Sequence, residues 1–221
     1  MSKVIGVITA DIVASRDLSP KRREALYADV KAGLQALKKE GWLASYELYR
    51  GDSFQCVAAR PELALRVALL IRSFFKAYSG PGDSGSDSKY DVRIAAAVGG
   101  VDFFSKTDLA HSDGEAFRLS GEGLDSLRDV PWRLALRTGD AALTESLAPA
   151  VLLLDAVLQK WTAPGAEAVF YRLKELKEEA ISRQVGVSQP AINQRLKAAQ
   201  WYAVDALLQY FEKTINPQHL G

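Results

Sequence analysis

The chain is poor in metal-binding and cross-linking side chains, with one cysteine (Cys56) and two histidines in 221 residues. A single cysteine excludes an intrachain disulfide, and a Cys/His zinc site needs about four such ligands. No uninterrupted apolar run reaches the roughly 18 residues of a membrane-spanning helix, and the first residues lack a signal-peptide core. We therefore expect a cytoplasmic globular protein with no membrane partner.

The sequence also lacks an excess of either charge. Its formal net charge is +1, with 25% charged and 48% apolar residues. This apolar content is enough to build a core, and the near-neutral balance argues against a strongly basic nucleic-acid coat protein. A local basic surface remains compatible with it.

Hydrophobic periodicity divides the chain near Gly139. The first part follows the order β-α-β-β-α-β-α-β, which is close to a ferredoxin-like arrangement of an antiparallel sheet with helices on one face. The remainder has only helical periodicity. We predict an α+β fold with an α/β domain over 1–139 and an all-α domain over 140–221.

Two acids close turns that the predicted topology brings together. Asp11 ends the first strand, and Asp52 lies in the Arg50-Gly51-Asp52 link between the next two strands. If these strands are neighbours, the two carboxylates converge and form a site for Mg²⁺ or Mn²⁺. The alternative is that both acids are ordinary turn formers.

A nucleotide is the ligand that such a metal site would favour. Backbone N–H groups from Ile12 through Val13 and Ala14 to Ser15 lead into a helix and could hold a triphosphate. The side chains of Arg16 and Arg50 would add charge-assisted hydrogen bonds.

Four segments resemble class III nucleotidyl cyclases, in the family's order. They are residues 8–15 (ITADIVAS), 49–54 (YRGDSF), 92–100 (VRIAAAVGG) and 114–119 (GEAFRL). The resemblance implies a metal site formed by Asp11 and Asp52 with the Ile12 carbonyl.

The catalytic positions differ from those of the cyclases. Leu48 occupies the position of the family's purine-reading lysine, and Arg118 and Glu122 replace its asparagine and arginine. An acid at a position where a cation should stabilise phosphate charge opposes the chemistry. The resemblance therefore implies metal and nucleotide binding, with cyclase activity in doubt.

The whole chain also resembles the SatD family. The shared segments are residues 11–16 (DIVASR), 50–55 (RGDSFQ) and 113–117 (DGEAF), followed by a helical tail. This resemblance does not specify an activity.

The tail contains a helix-turn-helix pattern at about 177–198. Its predicted core comprises Ile181, Val185, Val187, Ile192 and Leu196. Gly186 supplies a left-handed turn residue, and Ser188 followed by Pro190 begins the second helix. The segment resembles the DNA-binding helices of bacterial repressors and sigma-factor region 4, although a purely structural three-helix core would use the same turn.

The second helix of this pattern predicts the DNA contacts. Side chains expected to project outward toward base edges are Gln189, Asn193, Gln194 and Lys197. Those expected to reach phosphates or make the local surface positive are Arg183, Ser188, Arg195 and Lys197.

One such helix pair contacts little DNA, so a homodimer that reads two half-sites is expected. The apolar stripe Trp201, Val204, Leu208, Phe211 and Ile215 is either its seam or intramolecular core.

We interpret the chain as a DNA-binding transcriptional regulator with a degenerate cyclase-like domain that senses a nucleotide or a metal–nucleotide complex. The alternatives are a divergent metal-dependent nucleotidyl cyclase or nucleotidyltransferase, and an adaptor whose helix pair binds another protein.

Overall fold

The computed structural model describes residues 3–49, 52–80 and 90–215, and within them the chain forms one five-stranded sheet. The strands are β1 (Val4–Ile12), β2 (Leu43–Leu48), β3 (Ser53–Ala58), β4 (Val92–Gly100) and β5 (Leu134–Thr138). The helices are α1 (Pro20–Lys39), α2 (Ala64–Ala77), α3 (Glu115–Asp125), α4 (Ala141–Gln159), α5 (Ala163–Leu173), α6 (Glu178–Val185), α7 (Gln189–Ala198) and α8 (Trp201–Ile215).

The sheet has the order β2-β3-β1-β4-β5. Its first four strands are antiparallel, as expected for a ferredoxin-like core. The fifth strand pairs with β4 in parallel, so the prediction of an antiparallel sheet is wrong at this edge. The chain passes through α3 between these two strands, and such a crossover allows parallel pairing.

Helices cover both faces of the sheet, which corrects the prediction of a single covered face. Alternate residues of β1 point to opposite sides. Ile8 and Ala10 belong to the large core that also contains α1 and α2, whereas Ile5 and Val7 pack with Phe117 of α3 on the other side.

Polar side chains cap the starts of several helices. Ser19 accepts a hydrogen bond from the Arg22 N–H at the start of α1. Asp140 accepts one from the Leu143 N–H and starts α4 directly after β5. These caps satisfy N–H groups that have no partner within the helix.

The tail helices extend the core of the sheet. Helix α5 packs against α2, and the buried apolar residues of α5 and α8 belong to the same cluster as Ile8 and Ala10 of β1. The five residues of the Trp201–Ile215 stripe are all buried within the chain. The stripe is therefore intramolecular core, and its alternative role as a dimer seam is wrong.

Helix α4 borders this core beside β5. By length and composition alone it is, among the described helices, the one that could cross a membrane. A helix on the side of a protein core meets the same criteria, and one side of α4 is buried against β5 and carries Asp155.

A buried ionic cluster connects α2, α4 and the sheet. The fully buried Arg72 guanidinium donates to both oxygens of Asp91 at 3.0 and 3.3 Å and to the Asp155 carboxylate. Arg133 adds a side-chain bond to Asp91 at 2.8 Å and a backbone bond to Asp155 at 3.1 Å. The cluster fixes the starts of β4 and β5 relative to α4.

Replacing Arg72 with methionine would leave Asp91 and Asp155 buried without their main partner. We expect the free energy of unfolding to fall by about 3–5 kcal/mol, as measured by urea titration followed by circular dichroism. The matched control is Arg183→Met, since its exposed pair with Glu179 is worth about 0.3–0.5 kcal/mol. Equal losses for the two variants would contradict a stabilising role of the cluster.

Candidate functional site: an acidic cleft and the surface of a helix pair

Strand pairing places Asp11 at the centre of the candidate site. Asp11 lies next to last in the central strand β1, directly opposite Ser53 of β3 and Arg93 of β4. Asp52 immediately precedes β3, and its backbone carbonyl accepts the Ile12 N–H at 3.0 Å. The hairpin link is thereby tied to the end of β1, and the structure brings the two predicted acids together.

Neighbouring groups only partly compensate the electrostatic repulsion between the Asp11 and Asp52 carboxylates. Burial raises the pKa of the Asp11 carboxyl, and the negative charge of Asp52 raises it further. The Arg93 guanidinium, 3.6 Å from Asp11, and a 3.5 Å hydrogen bond from the Ser53 hydroxyl lower this pKa by less. Asp52 accepts a hydrogen bond from the Ser15 hydroxyl. A cation at this position would relieve the repulsion.

Both acids open into a polar cleft of about 620 Å³. Its lining comprises Asp11, Ile12, Ala14, Ser15, Asp17, Asp52, Ser53, Arg93, Leu124 and Arg128. Sequence reasoning missed Arg93 and Arg128. Arg93 belongs to the cyclase-like segment 92–100, but only the strand register places it opposite Asp11. Arg128 lies beyond the end of α3 and outside the motifs.

The donor set fits a hard cation that keeps other oxygen ligands. Within residues 3–49, 52–80 and 90–215, no group of three or more His, Cys, Asp or Glu side chains surrounds a common point. A Mg²⁺ or Mn²⁺ ion would therefore take Asp11 and Asp52, with water, phosphate or backbone oxygen completing its coordination.

The loop after β1 is less open than the sequence suggested. The N–H groups of Ile12 and Val13 already donate to the backbone carbonyls of Asp52 and Asp91. This restricts the predicted phosphate cradle to the amides of Ala14 and Ser15. Arg50 lies outside the described residues, as does the side chain of Arg16.

Ala14 has a left-handed backbone with φ of 56°. This conformation is unfavourable for a residue with a Cβ and is often found at functional sites. It turns the chain into a short 3₁₀ turn, Ser15–Asp17, and so directs the Ser15 hydroxyl to Asp52.

The two residues at cyclase-like helix positions lie apart from the cleft lining. Arg118 pairs with Asp102 and Asp113 at 3.6 and 3.3 Å, beyond the opposite end of β4 from Arg93. Glu122 is exposed on α3. Neither residue belongs to the lining of the cleft.

The segment for which a helix-turn-helix was predicted contains two short helices, α6 and α7. Helix α6 ends at Gly186, whose φ is 75°, and Ser188 caps α7 by accepting the Ala191 N–H at 3.4 Å. Ile181 of α6 and Ile192 of α7 are fully buried between the helices and α5.

The predicted DNA-contacting residues fall into two groups. Those exposed are Arg183, Ser188, Gln189, Gln194 and Lys197, although Arg183 also pairs with Glu179. The other two are partly buried and held internally. Asn193 donates to the Glu178 carboxylate at 3.2 Å, and Arg195 pairs with Glu167 at 3.3 Å.

Comparisons with known proteins add little to this geometry. No protein-family model matches the chain, and no curated protein matches it. One similar solved structure is that of a bacterial light-regulated adenylyl cyclase, with 16% identity and a TM-score of 0.42. The similarity covers 61% of this chain and 76% of that one. Similarity at this level does not support an argument about function, and the SatD resemblance stays a prediction.

Replacing Asp11 with asparagine tests the acid pair. Because folding raises the pKa of this carboxyl, the wild-type protein loses stability as pH rises above the ordinary value of 3.8. We expect metal-free Asp11→Asn to be at least as stable as wild type near neutral pH, and this advantage to disappear in acid. Millimolar Mn²⁺ should raise the melting temperature of wild type by about 2–4 °C and leave that of Asp11→Asn unchanged.

The control for this experiment is Asp129→Asn, which changes an exposed acid outside the cleft lining. It should keep the wild-type response to Mn²⁺. An equal Mn²⁺ response in Asp11→Asn would show that the metal binds elsewhere.

Proposed function

We propose that this protein is a DNA-binding regulator whose α/β part binds a nucleotide through a divalent cation. The observation that carries the proposal is the exposed surface of α7. Gln189, Gln194 and Lys197 project into solvent from a helix that is capped by Ser188 and fixed against α6 by buried Ile192.

The composition of that surface suits the major groove. Side-chain amides of glutamine can bind adenine edges in two-point contacts. Lys197 and the N-terminus of α7 can contact phosphates. Between Glu179 and Asp205 the sequence has no acid, and the two carboxylates that contact α7, those of Glu178 and Glu167, are held by Asn193 and Arg195.

In this proposal the acidic cleft of the α/β part is the ligand-binding site. The acid pair would hold a divalent cation, and Arg93 and Arg128 in the same cleft would neutralise phosphate oxygens. We assign a nucleoside triphosphate as the ligand class, since it combines metal-binding phosphates with enough negative charge for two arginines.

Coupling between the two halves follows the packing of the helices. Helix α2 contacts the sheet and α5, and α5 in turn contacts α7. A ligand at the acidic cleft can change DNA affinity only if it binds one arrangement of these helices better than another.

DNA binding is tested by fluorescence anisotropy with duplex DNA from upstream of the gene and a scrambled duplex of equal length. Lys197→Ala should weaken both complexes similarly. It should also reduce the slope of log affinity against log salt concentration by about one, since one phosphate contact is lost. Gln189→Ala or Gln194→Ala should reduce discrimination between the duplexes by about 1–3 kcal/mol.

Matched controls are Lys213→Ala on α8 and Gln35→Ala on α1, both of which replace exposed side chains on other helices. They should bind DNA like wild type. Absence of salt-sensitive DNA binding by the wild-type protein, with or without triphosphate and Mg²⁺, would contradict the proposal. DNA binding that no α7 variant alters would instead favour a helix pair that contacts another protein.

The nearness of Asp11 and Asp52 favours a second candidate function, metal-dependent nucleotidyl transfer. If the chain has this activity, Mn²⁺ with one of the common triphosphates should release pyrophosphate in a coupled assay. Asp52→Asn should then abolish release, and the control Asp129→Asn should retain it. Turnover that persists in Asp52→Asn would place the activity at another site or in a contaminant.

A further inference from the structure

Helix α4 presents an uncharged side to solvent along most of its length. Leu153 and Leu152 are 71% and 47% exposed, and Ala148, Pro149 and Ala156 beside them are also exposed. The acid within this stretch, Asp155, points the other way into the buried Arg72 cluster. A contiguous exposed apolar patch is a common mark of a protein–protein or membrane interaction site.

Charges flank this stretch at its two ends and have opposite signs. Exposed Glu145 lies in the first turns of α4, and exposed Lys160 directly follows its last residue. At about 3.6 residues per turn, both fall on the same side of the helix as Pro149, Leu152 and Ala156. The resulting spacing of three and four residues is that of a helix–helix seam.

We propose that this side of α4, which we define by Glu145, Pro149, Leu152, Leu153, Ala156 and Lys160, binds the same surface of a second copy of the chain in antiparallel orientation. A two-fold axis that passes between Leu152 and Leu153 places Leu152 of each copy against Leu153 of the other. The same axis brings Glu145 against Lys160 of the other copy, twice.

Self-complementarity is the argument for this occupant. A two-fold interface requires one patch to match itself after rotation, and the order acid, small, Leu, Leu, small, base satisfies that condition. A lipid surface is a poorer match, because helices that lie on membranes carry several Lys or Arg residues beside the apolar side. The exposed Trp132, which lines a groove with Leu152, enlarges the apolar patch.

The proposal is tested by sedimentation equilibrium of the full chain, where the wild type should show twice the mass of the 24.1 kDa chain. Leu153→Glu should give the monomer. The control Tyr202→Glu, which places the same charge at a 68% exposed aromatic on α8, should stay dimeric. A monomeric wild type, or a dimer that Leu153→Glu leaves intact, would overturn the proposal.

A charge exchange tests the antiparallel orientation. Glu145→Lys and Lys160→Glu should each weaken the dimer about tenfold, because two-fold symmetry creates two like-charge contacts. The double variant should recover the wild-type dimer constant. Weakening without recovery would overturn the antiparallel arrangement.

Flotation with vesicles of phosphatidylcholine and phosphatidylglycerol tests whether α4 binds a lipid surface instead of a second copy. The wild type should not float. Flotation that Leu153→Glu abolishes would identify α4 as a lipid-binding surface and overturn the proposal. None of these outcomes depends on DNA or nucleotide binding, so this inference and the proposed function can fail separately.

Discussion

The fully buried Arg72 is the constraint on which the arrangement of the two parts depends. Burial alone would raise the pKa of the Asp91 carboxyl, but the charge and hydrogen bonds of Arg72, together with the charge of Lys76, hold it below its ordinary value. Buried ions cost much desolvation energy unless each is paired. Asp91, which precedes β4, and Asp155 of α4 are both paired with the Arg72 guanidinium, so the sheet and α4 must lie where each acid reaches this one cation.

The same cluster reaches the acidic cleft through the backbone. The Asp91 carboxylate binds Arg72, while its carbonyl accepts the Val13 N–H at 2.9 Å. The loop that carries left-handed Ala14 is thus held between Asp91 and Asp52. Such anchoring keeps the Asp11 and Asp52 carboxylates close despite their repulsion. The cation that we propose for this site would therefore need little rearrangement of the two acids on binding.

Sequence patterns predicted features that depend on local chemistry. The strands around Arg50-Gly51-Asp52, the cap at Ser188 and the turn at Gly186 all follow from residues close in the chain. Apart from the approach of Asp11 and Asp52, which the predicted strand order implied, the features that depend on register or three-dimensional packing were missed. The pairing of Asp11 with Arg93 needs the alignment of β1 with β4, and the parallel direction of β5 needs the path of α3 across the sheet. The burial of the stripe that begins at Trp201 could not be distinguished from a dimer seam, since both uses require the same helical period.

The internal contacts of α7 limit what one copy could read on DNA. Asn193 and Arg195 are held by Glu178 and Glu167, which leaves Gln189, Gln194 and Lys197 with Ser188 as the side chains presented by this helix. Each good base contact contributes about 1–3 kcal/mol of discrimination, so two glutamines could select only a short sequence. Selectivity among many genomic sites would then require either two copies on spaced half-sites or recognition of DNA shape. Because α8 buries the stripe that begins at Trp201 within the chain, a surface that joins two copies must use other residues, and the position of that surface would fix the half-site spacing.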